Sequence, residues 1–275
     1  MINTILLATN FSQNANHAGF YAIELAKQIG ATKIVVYHTY NVASISEPML
    51  DYSQQLATEP FRQESINNLE QLIALLRTKT DHKIIIEAYQ SYATLTDAVN
   101  EIANITEANL IVMGISGGSK LKEVVVGSHS LAVAKHTNIP VLIVPTDAAY
   151  KNIQKVLLVS DLKDVETTIP SNAINVLLSA SKAQLSVLHI TENTNDQHTI
   201  EKEQLNHIFA NHLPEFHFVE NNDFTAAVDE FVAANQIDLV IVVPKKHGIF
   251  KSIFNVNHTK TLAFHSKVPL VVAHN

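Results

Sequence analysis

Two stretches of this chain, 151 residues apart, are spelled almost alike. Lys155-Val156-Leu157-Leu158-Val159-Ser160-Asp161 echoes Thr4-Ile5-Leu6-Leu7-Ala8-Thr9-Asn10, and the same displacement lays His189 on His38. Further along, the displacement becomes 129 and stays there, setting Asp238-Leu239-Val240-Ile241-Val242 on Asn109-Leu110-Ile111-Val112-Met113. It also sets Pro269-Leu270-Val271-Val272 on Pro140-Val141-Leu142-Ile143. The second copy has therefore lost 22 residues between its second and fourth apolar runs. A repeat this long means two homologous domains rather than a solenoid. At 275 residues the chain holds two domains of ordinary size, expected at 1–147 and 151–275 with a boundary near Thr146–Lys151.

Within the first copy, short apolar runs alternate with helical patterns. A strand over residues 2–9 precedes a helix whose apolar or small residues are Ala18, Tyr21, Ala22, Leu25, Ala26 and Ile29, and Gly30 stops it. Strand Lys33–His38 follows, then a polar stretch, 41–59, which with Pro48 and Pro60 reads as a loop. A helix carries Ile66, Leu69, Ile73 and Leu76, and the next strand is expected at Lys83–Ala88. Thr94 is placed to cap a helix bearing Leu95, Ala98, Val99, Ile102 and Ala103. Strand Leu110–Met113, a Gly/Ser-rich turn, a helix opened by Gly127-Ser128 and strand Val141–Val144 complete the set. The second copy repeats the order and trims the loop and helix after its second strand. Such alternation demands an α/β fold with an open parallel sheet, right-handed crossovers and helices on both faces. Sheets of this kind take ligands at the carboxyl ends of their strands.

Four of the seven glycines lie in one stretch, Gly114, Gly117, Gly118 and Gly127. Two residues separate Gly114 from Gly117, nine more separate Gly117 from Gly127, and Ser128 follows. A glycine turn after a strand and a Gly-Ser pair at a helix start both turn backbone N–H groups outward, as phosphate binding requires. This spacing resembles the nucleotide-binding signature of the universal stress protein family, and the likeness extends over both copies as a tandem member. The resemblance implies five-stranded sheets of order 3-2-1-4-5. It implies ATP, ADP or AMP as ligand, with Asn10 and the backbone of Thr39 on the adenosine moiety and Met113 near the base or ribose. The amides near Gly114, Gly117, Gly127 and Ser128, with the Ser128 and Ser130 hydroxyls, would then hold the phosphates. Members of the family also pair their last strands across a two-fold axis, here Val141–Val144 with Leu270–Ala273 inside one chain, and a homodimer remains open.

The match departs from the pattern at one place. Asn10 stands where nucleotide-binding members usually carry Asp; it keeps a carbonyl acceptor but loses charge-assisted strength. The other reading of Asn10 is a turn residue. In the second copy Val243, Lys246, Val256 and Asn257 replace Gly114, Gly117, Gly127 and Ser128, and only Ser130 keeps a hydroxyl counterpart, Thr259. That copy reads as degenerate for nucleotide, although it retains Asp161. The matched His38 and His189 read as satisfied buried imidazoles.

Composition narrows the remaining classes. A net charge of −7 argues against nucleic acid, and no apolar run approaches the ~20 residues of a membrane span. The N-terminus lacks a basic segment and reads as the first strand rather than a signal peptide. With no cysteine, thiolate metal sites and disulfides are excluded, and a cytoplasmic protein is expected. His207, His212 and His217 are spaced by five, wrong for one helical face, so no metal is expected. With only Arg62 and Arg77 as arginines and no evident general base, any ATP hydrolysis is expected to be slow. The alternative function is a protein-interaction module of the same fold without nucleotide.

Overall fold

The computed structural model describes residues 1–40, 51–80, 83–115, 128–191, 198–244 and 268–274, with backbone alone at 51–57 and Ser128. In the first half, strands β1 (Thr4–Ala8), β2 (Lys33–Thr39), β3 (Ile85–Ser91), β4 (Leu110–Ile115) and β5 (Val141–Pro145) alternate with helices. The helices are α1 (Gln13–Ile29), α2 (Asp51–Arg77), α3 (Leu95–Ile105) and α4 (Ser128–His136). The second half contains β6 (Lys155–Val159), α5 (Val165–Thr168), α6 (Ser171–Ser181), β7 (Gln184–Thr191) and α7 (Thr199–Ile208). It continues with β8 (Glu215–Glu220), α8 (Phe224–Asn235), β9 (Leu239–Val242) and β10 (Leu270–Val272).

The strands form one ten-stranded sheet of order β3-β2-β1-β4-β5-β10-β9-β6-β7-β8. Each half thus has the order 3-2-1-4-5, parallel within itself, and the halves meet where β10 runs antiparallel to β5 with Val271 opposite Leu142. Alternate strand residues supply two apolar layers, one on each face, and both run unbroken through the seam. Leu7, Leu25, Val156 and Leu178 belong to one layer, and Leu6, Ile143, Leu157 and Leu270 to the other. Asn109 holds the start of β1, its Oδ1 accepting from the Asn3 and Thr4 amides at 2.9 and 3.1 Å. Asp238 does the same for β6, accepting from Gln154 and Lys155 at 2.9 and 3.0 Å.

Three sequence expectations are corrected. The polar stretch 41–59 is not all loop, because α2 begins at Asp51 and runs through Pro60. Pro60 is exposed, so water can serve the carbonyl that its missing N–H leaves. The third strand spans Ile85–Ser91 rather than Lys83–Ala88, since pairing with β2 carries it on from Lys33↔Ile85 to Thr39↔Ser91. Thr94 occupies the N-cap of α3, yet its hydroxyl donates to Asp97 Oδ2 at 2.5 Å rather than serving a backbone amide. Gly30 does end α1, in the left-handed region at φ 74°.

One face of α1 fastens the segment that joins the halves. Asn14 Oδ1 accepts from Thr146 Oγ1 at 3.2 Å, and His17 Nε2 donates to the Ala148 carbonyl at 2.8 Å. Tyr21 packs edge-on against Tyr150 with ring centres 4.9 Å apart. Gln28 accepts from Tyr150 Oη at 2.5 Å and Ile153 N at 2.9 Å, and donates to the carbonyls of Ile153 and Ser181. The spacing of these four residues is one helical stripe.

Candidate nucleotide site

Where β1 ends, side-chain oxygens build the turn into α1. Thr9 stays beside β2, its amide donating to the Tyr37 carbonyl at 2.9 Å. Thr9 Oγ1 accepts from Phe11 N at 3.0 Å, Asn10 Oδ1 accepts from Ser12 N at 3.2 Å, and Ser12 Oγ caps α1 by accepting from Ala15 N at 3.3 Å. Short polar side chains at these positions substitute for backbone acceptors, which is why such residues start turns and helices. The left-handed residue is Phe11, at φ 61°, not Asn10. Asn10 is exposed and keeps its second lone pair and its amide hydrogens available.

His38, near the end of β2, closes the turn from beneath. Its Nδ1 meets the Thr9 carbonyl at 2.8 Å, and because a carbonyl only accepts, Nδ1 carries the proton. The Phe11 ring lies 4.4 Å from the imidazole, centre to centre. Burial lowers the His38 pKa, outweighing the opposing effect of the Thr9 hydrogen bond, and favours the neutral ring.

A cleft of about 650 Å³ opens above this turn, at the carboxyl ends of β1, β2 and β4. Strand order reverses here, since β1 has β2 on one side and β4 on the other. Three helix N-termini border it: α1 through Ser12 and Asn14, α3 through Thr94 and Thr96, and α4 through His129 and Ser130. Each N-terminus presents unsatisfied N–H groups and a partial positive charge. Among the described residues no Asp, Glu, Lys or Arg lines the cleft, although Asp97 in the first turn of α3, bound to Thr94, offsets the field of that one helix.

Asn10, Thr39, Met113, Gly114 and Ser130 all border this one cleft. Met113 is buried against the floor and Thr39 is half-buried. Ser130 is 3% exposed and its hydroxyl donates to the Gly114 carbonyl at 3.1 Å, tying α4 to the end of β4. Gly114 is needed for packing as well, since a Cβ there would stand 2.3 Å from the Asn14 carbonyl oxygen in the first turn of α1. Ser128 opens α4, while its side chain, Gly117 and Gly127 lie outside the described residues. The sequence reading missed Asn14, Thr94, Thr96 and His129; Thr94 and Thr96 were detectable from their position at the turn after a strand.

The second half repeats the turn and changes its surroundings. Ser160 Oγ accepts from Leu162 N at 3.1 Å, Asp161 Oδ1 accepts from Lys163 N at 3.0 Å, and His189 Nδ1 donates to the Ser160 carbonyl at 3.0 Å. Asp161, however, is only 3% exposed, and Val243, where the first half has Gly114, is buried. The counterparts Lys246, Val256, Asn257 and Thr259 lie outside the described residues. Among the described residues no group of three His, Cys, Asp or Glu could hold a metal, and no helix is long and apolar enough to cross a membrane.

A mostly parallel sheet with helices on both faces and a cleft at its switch point defines the class of doubly wound α/β proteins. The model of the universal stress protein family matches residues 1–145. The universal stress protein in the QAH/OAS sulfhydrylase 3'region of Thermus aquaticus is 31% identical over 152 residues, covering 52% of this chain and 99% of that protein. The chain belongs to the universal stress protein family. A crystal structure of a universal stress protein from Archaeoglobus fulgidus superposes with a TM-score of 0.72 at 17% identity, covering 100% of this chain and 99% of that one. A functionally unknown protein from Pseudomonas aeruginosa superposes at 0.59 and 12% identity, covering 99% and 92%. At such identities these two likenesses establish a shared fold across both halves.

Proposed function

We propose that the first half binds an adenine nucleotide, ATP, ADP or AMP, and that the chain is a regulatory or sensing protein of the stress response. The observation that carries this reading is the cleft of about 650 Å³ bordered by three helix N-termini and, among the described residues, by no charged side chain. Such a site favours an anion with an uncharged planar part. The residues suit the ligand: Asn10 and the Thr39 backbone can hydrogen-bond adenosine, and Met113 can pack against the base or ribose. The amides near Gly114, Gly117, Gly127 and Ser128, with the Ser128 hydroxyl, take the phosphates, and the Ser130 hydroxyl joins them by turning its proton from the Gly114 carbonyl to the ligand. Turnover, if any, is slow, and the protein acts in the cytoplasm.

In this reading residues 1–147 and 151–275 are two domains, joined through β5 and β10 as a pseudo-two-fold unit. A β5 edge left open would be an aggregation template. Residues 1–148 expressed alone should therefore associate; a well-behaved monomer at high concentration overturns that part.

Calorimetric titration of the full chain with ATP, ADP and AMP tests the ligand. Gly127→Val should abolish binding, while Val256→Gly should leave it unchanged. Equal losses from both would remove the asymmetry between halves. The second reading, an interaction module without nucleotide, is favoured by the engagement of Asn10 Oδ1 with Ser12 N. It prevails if no adenine nucleotide is released from freshly purified, denatured protein and none binds in the titration.

A further inference from the structure

We propose that the junction of the two halves carries a second binding site, for a small uncharged molecule with an apolar body and one hydrogen-bonding group. The site is a cleft of about 360 Å³ between α6 and the amino-terminal ends of β1, β4 and β5. Its volume falls at the small end of ligand pockets, which run from roughly 300 Å³ upward. The floor reaches Leu110, Ile241, Val271 and Ala273, buried residues of strands from both halves, and Ile174 and Leu177 of α6 form a wall. Three exposed asparagines, Asn109, Asn138 and Asn172, stand at the rim, and among the described residues no Asp, Glu, Lys or Arg lines the cleft. The Asn109 carbonyl oxygen already takes the Asn3 and Thr4 amides, so its hydrogens remain to meet a ligand acceptor.

The two halves differ in the helix residue beside this cleft. Gly30 and Lys182 are the matching left-handed caps of α1 and α6. Nine residues before them stand Tyr21 and Ala173 respectively. The Tyr21 ring lies against Tyr150 at 4.9 Å and fills space beside the sheet, whereas the Ala173 methyl leaves it open. The related crevice beside Tyr21 measures about 820 Å³ and includes Asp147, Lys151, Lys155, Asp229 and Asp238 among its lining. It does not reach Val112, Leu142 or Val144, the counterparts of Ile241, Val271 and Ala273. One crevice is therefore wide and lined by charged side chains, and the other narrow, without a charged side chain among the described residues, and open to the apolar layers. An ionised group pressed onto the apolar floor of the narrow one would be desolvated with no charged side chain beside it, which selects for an uncharged molecule. The site lies away from the carboxyl ends of β1, β2 and β4 and does not depend on nucleotide binding there.

The test uses the full chain with 4-fluoroacetanilide as a neutral probe and 4-fluorobenzoate as its charged counterpart, read by fluorine NMR. The neutral probe should bind with a Kd of about 1 mM, in keeping with the affinity that a fragment of its size reaches. Ala173→Tyr, which gives α6 the ring that α1 has, should weaken binding at least about tenfold, a loss near 1.4 kcal/mol. Asn172→Leu keeps the wall and should weaken the neutral probe about threefold, so the proposal stays testable if Ala173→Tyr fails to fold. Absence of binding at about 10 mM, equal binding of 4-fluorobenzoate, or affinity unchanged in correctly folded variants would each overturn the proposal.

Discussion

The turns after β1 and β6 are built the same way from different residues. Thr9 and Ser160 each accept from the amide two residues on, and so do Asn10 and Asp161. Phe11 and Leu162 take the left-handed backbone at φ 61° and 57°. His38 and His189 each hold the carbonyl of the first turn residue. The helices leaving these turns differ. In the first half α1 runs unbroken for 17 residues, and its first turn lies on the end of β4 because Gly114 has no side chain. In the second half Pro170 splits the equivalent helix into α5 and α6, and the preceding Ile169 is extended, as proline requires. Val243 fills the glycine's place and Asp161 sinks from the surface. Among the described residues the two turns are thus set apart by a glycine and a continuous helix in the first half, against a valine, a buried acid and a split helix in the second.

The largest expected effect tests that glycine directly. Gly114→Val, which copies the second half into the first, should cost about 3 kcal/mol in urea unfolding, because the new side chain meets backbone at 2.3 Å. A change within about 0.5 kcal/mol, the range of a neutral surface substitution, would break the explanation from close approach. Next in size is Gln28→Ala, since the Gln28 amide alone serves Tyr150, Ile153 and Ser181. Losing those bonds should cost about 2 kcal/mol and separate the unfolding of the halves into two transitions. A single unshifted transition would show that the joining segment does not couple them.

Asn10→Asp sharpens the comparison at the turn itself. A carboxylate keeps the Ser12 amide bond and adds a charge-assisted one to ligand, so nucleotide affinity should rise up to about tenfold, near 1.4 kcal/mol. Asp161→Asn should leave that affinity unchanged. Calorimetry showing no change for Asn10→Asp would assign Asn10 to the turn alone.

The smallest expected effect is a pH dependence. The folded-state pKa of His38 lies below the ordinary 6.5, so the unfolded chain takes up a proton first. The His38 contribution is full above about pH 6.5 and is lost as pH falls from there toward the folded value. Burial lowers His274 in the same sense, so His38→Gln should flatten the acid loss of stability only in part. Identical profiles for the variant and the parent, followed by denaturant midpoints, would contradict the burial of His38.

The repeat alone made most of the architecture legible, because matched apolar runs specify strands whatever lies between them. Gly30, Ser12 and the α1 stripe follow local rules of capping and helical period, so sequence and structure agree there. The start of α2 was hidden, because Pro60 argues against a helix in sequence and only its exposed position makes it tolerable. The packing of Gly114 against α1 was also illegible, because a glycine that suits a ligand and one that suits a neighbouring helix are the same letter. Thr94 shows the limit of a cap read from residue type: the acid three places on captured the hydroxyl.

The antiparallel meeting of β5 and β10 has a further consequence for how this protein avoids its own kind. It removes two apolar strands from the set of open edges and leaves β3 and β8 as the outer strands of the sheet. Nine strand spacings put these about 43 Å apart, too far for one to cover the other. Glu87 lies on β3, and Glu215 and Glu220 begin and end β8. Glu87 is paired with Lys33 Nζ at 2.7 Å, so opposition to a chain extending the sheet from β3 to β8 comes from Glu215 and Glu220 and from the net charge of −7. The seam thus moves the open borders of the sheet from two apolar strands to two that carry acids.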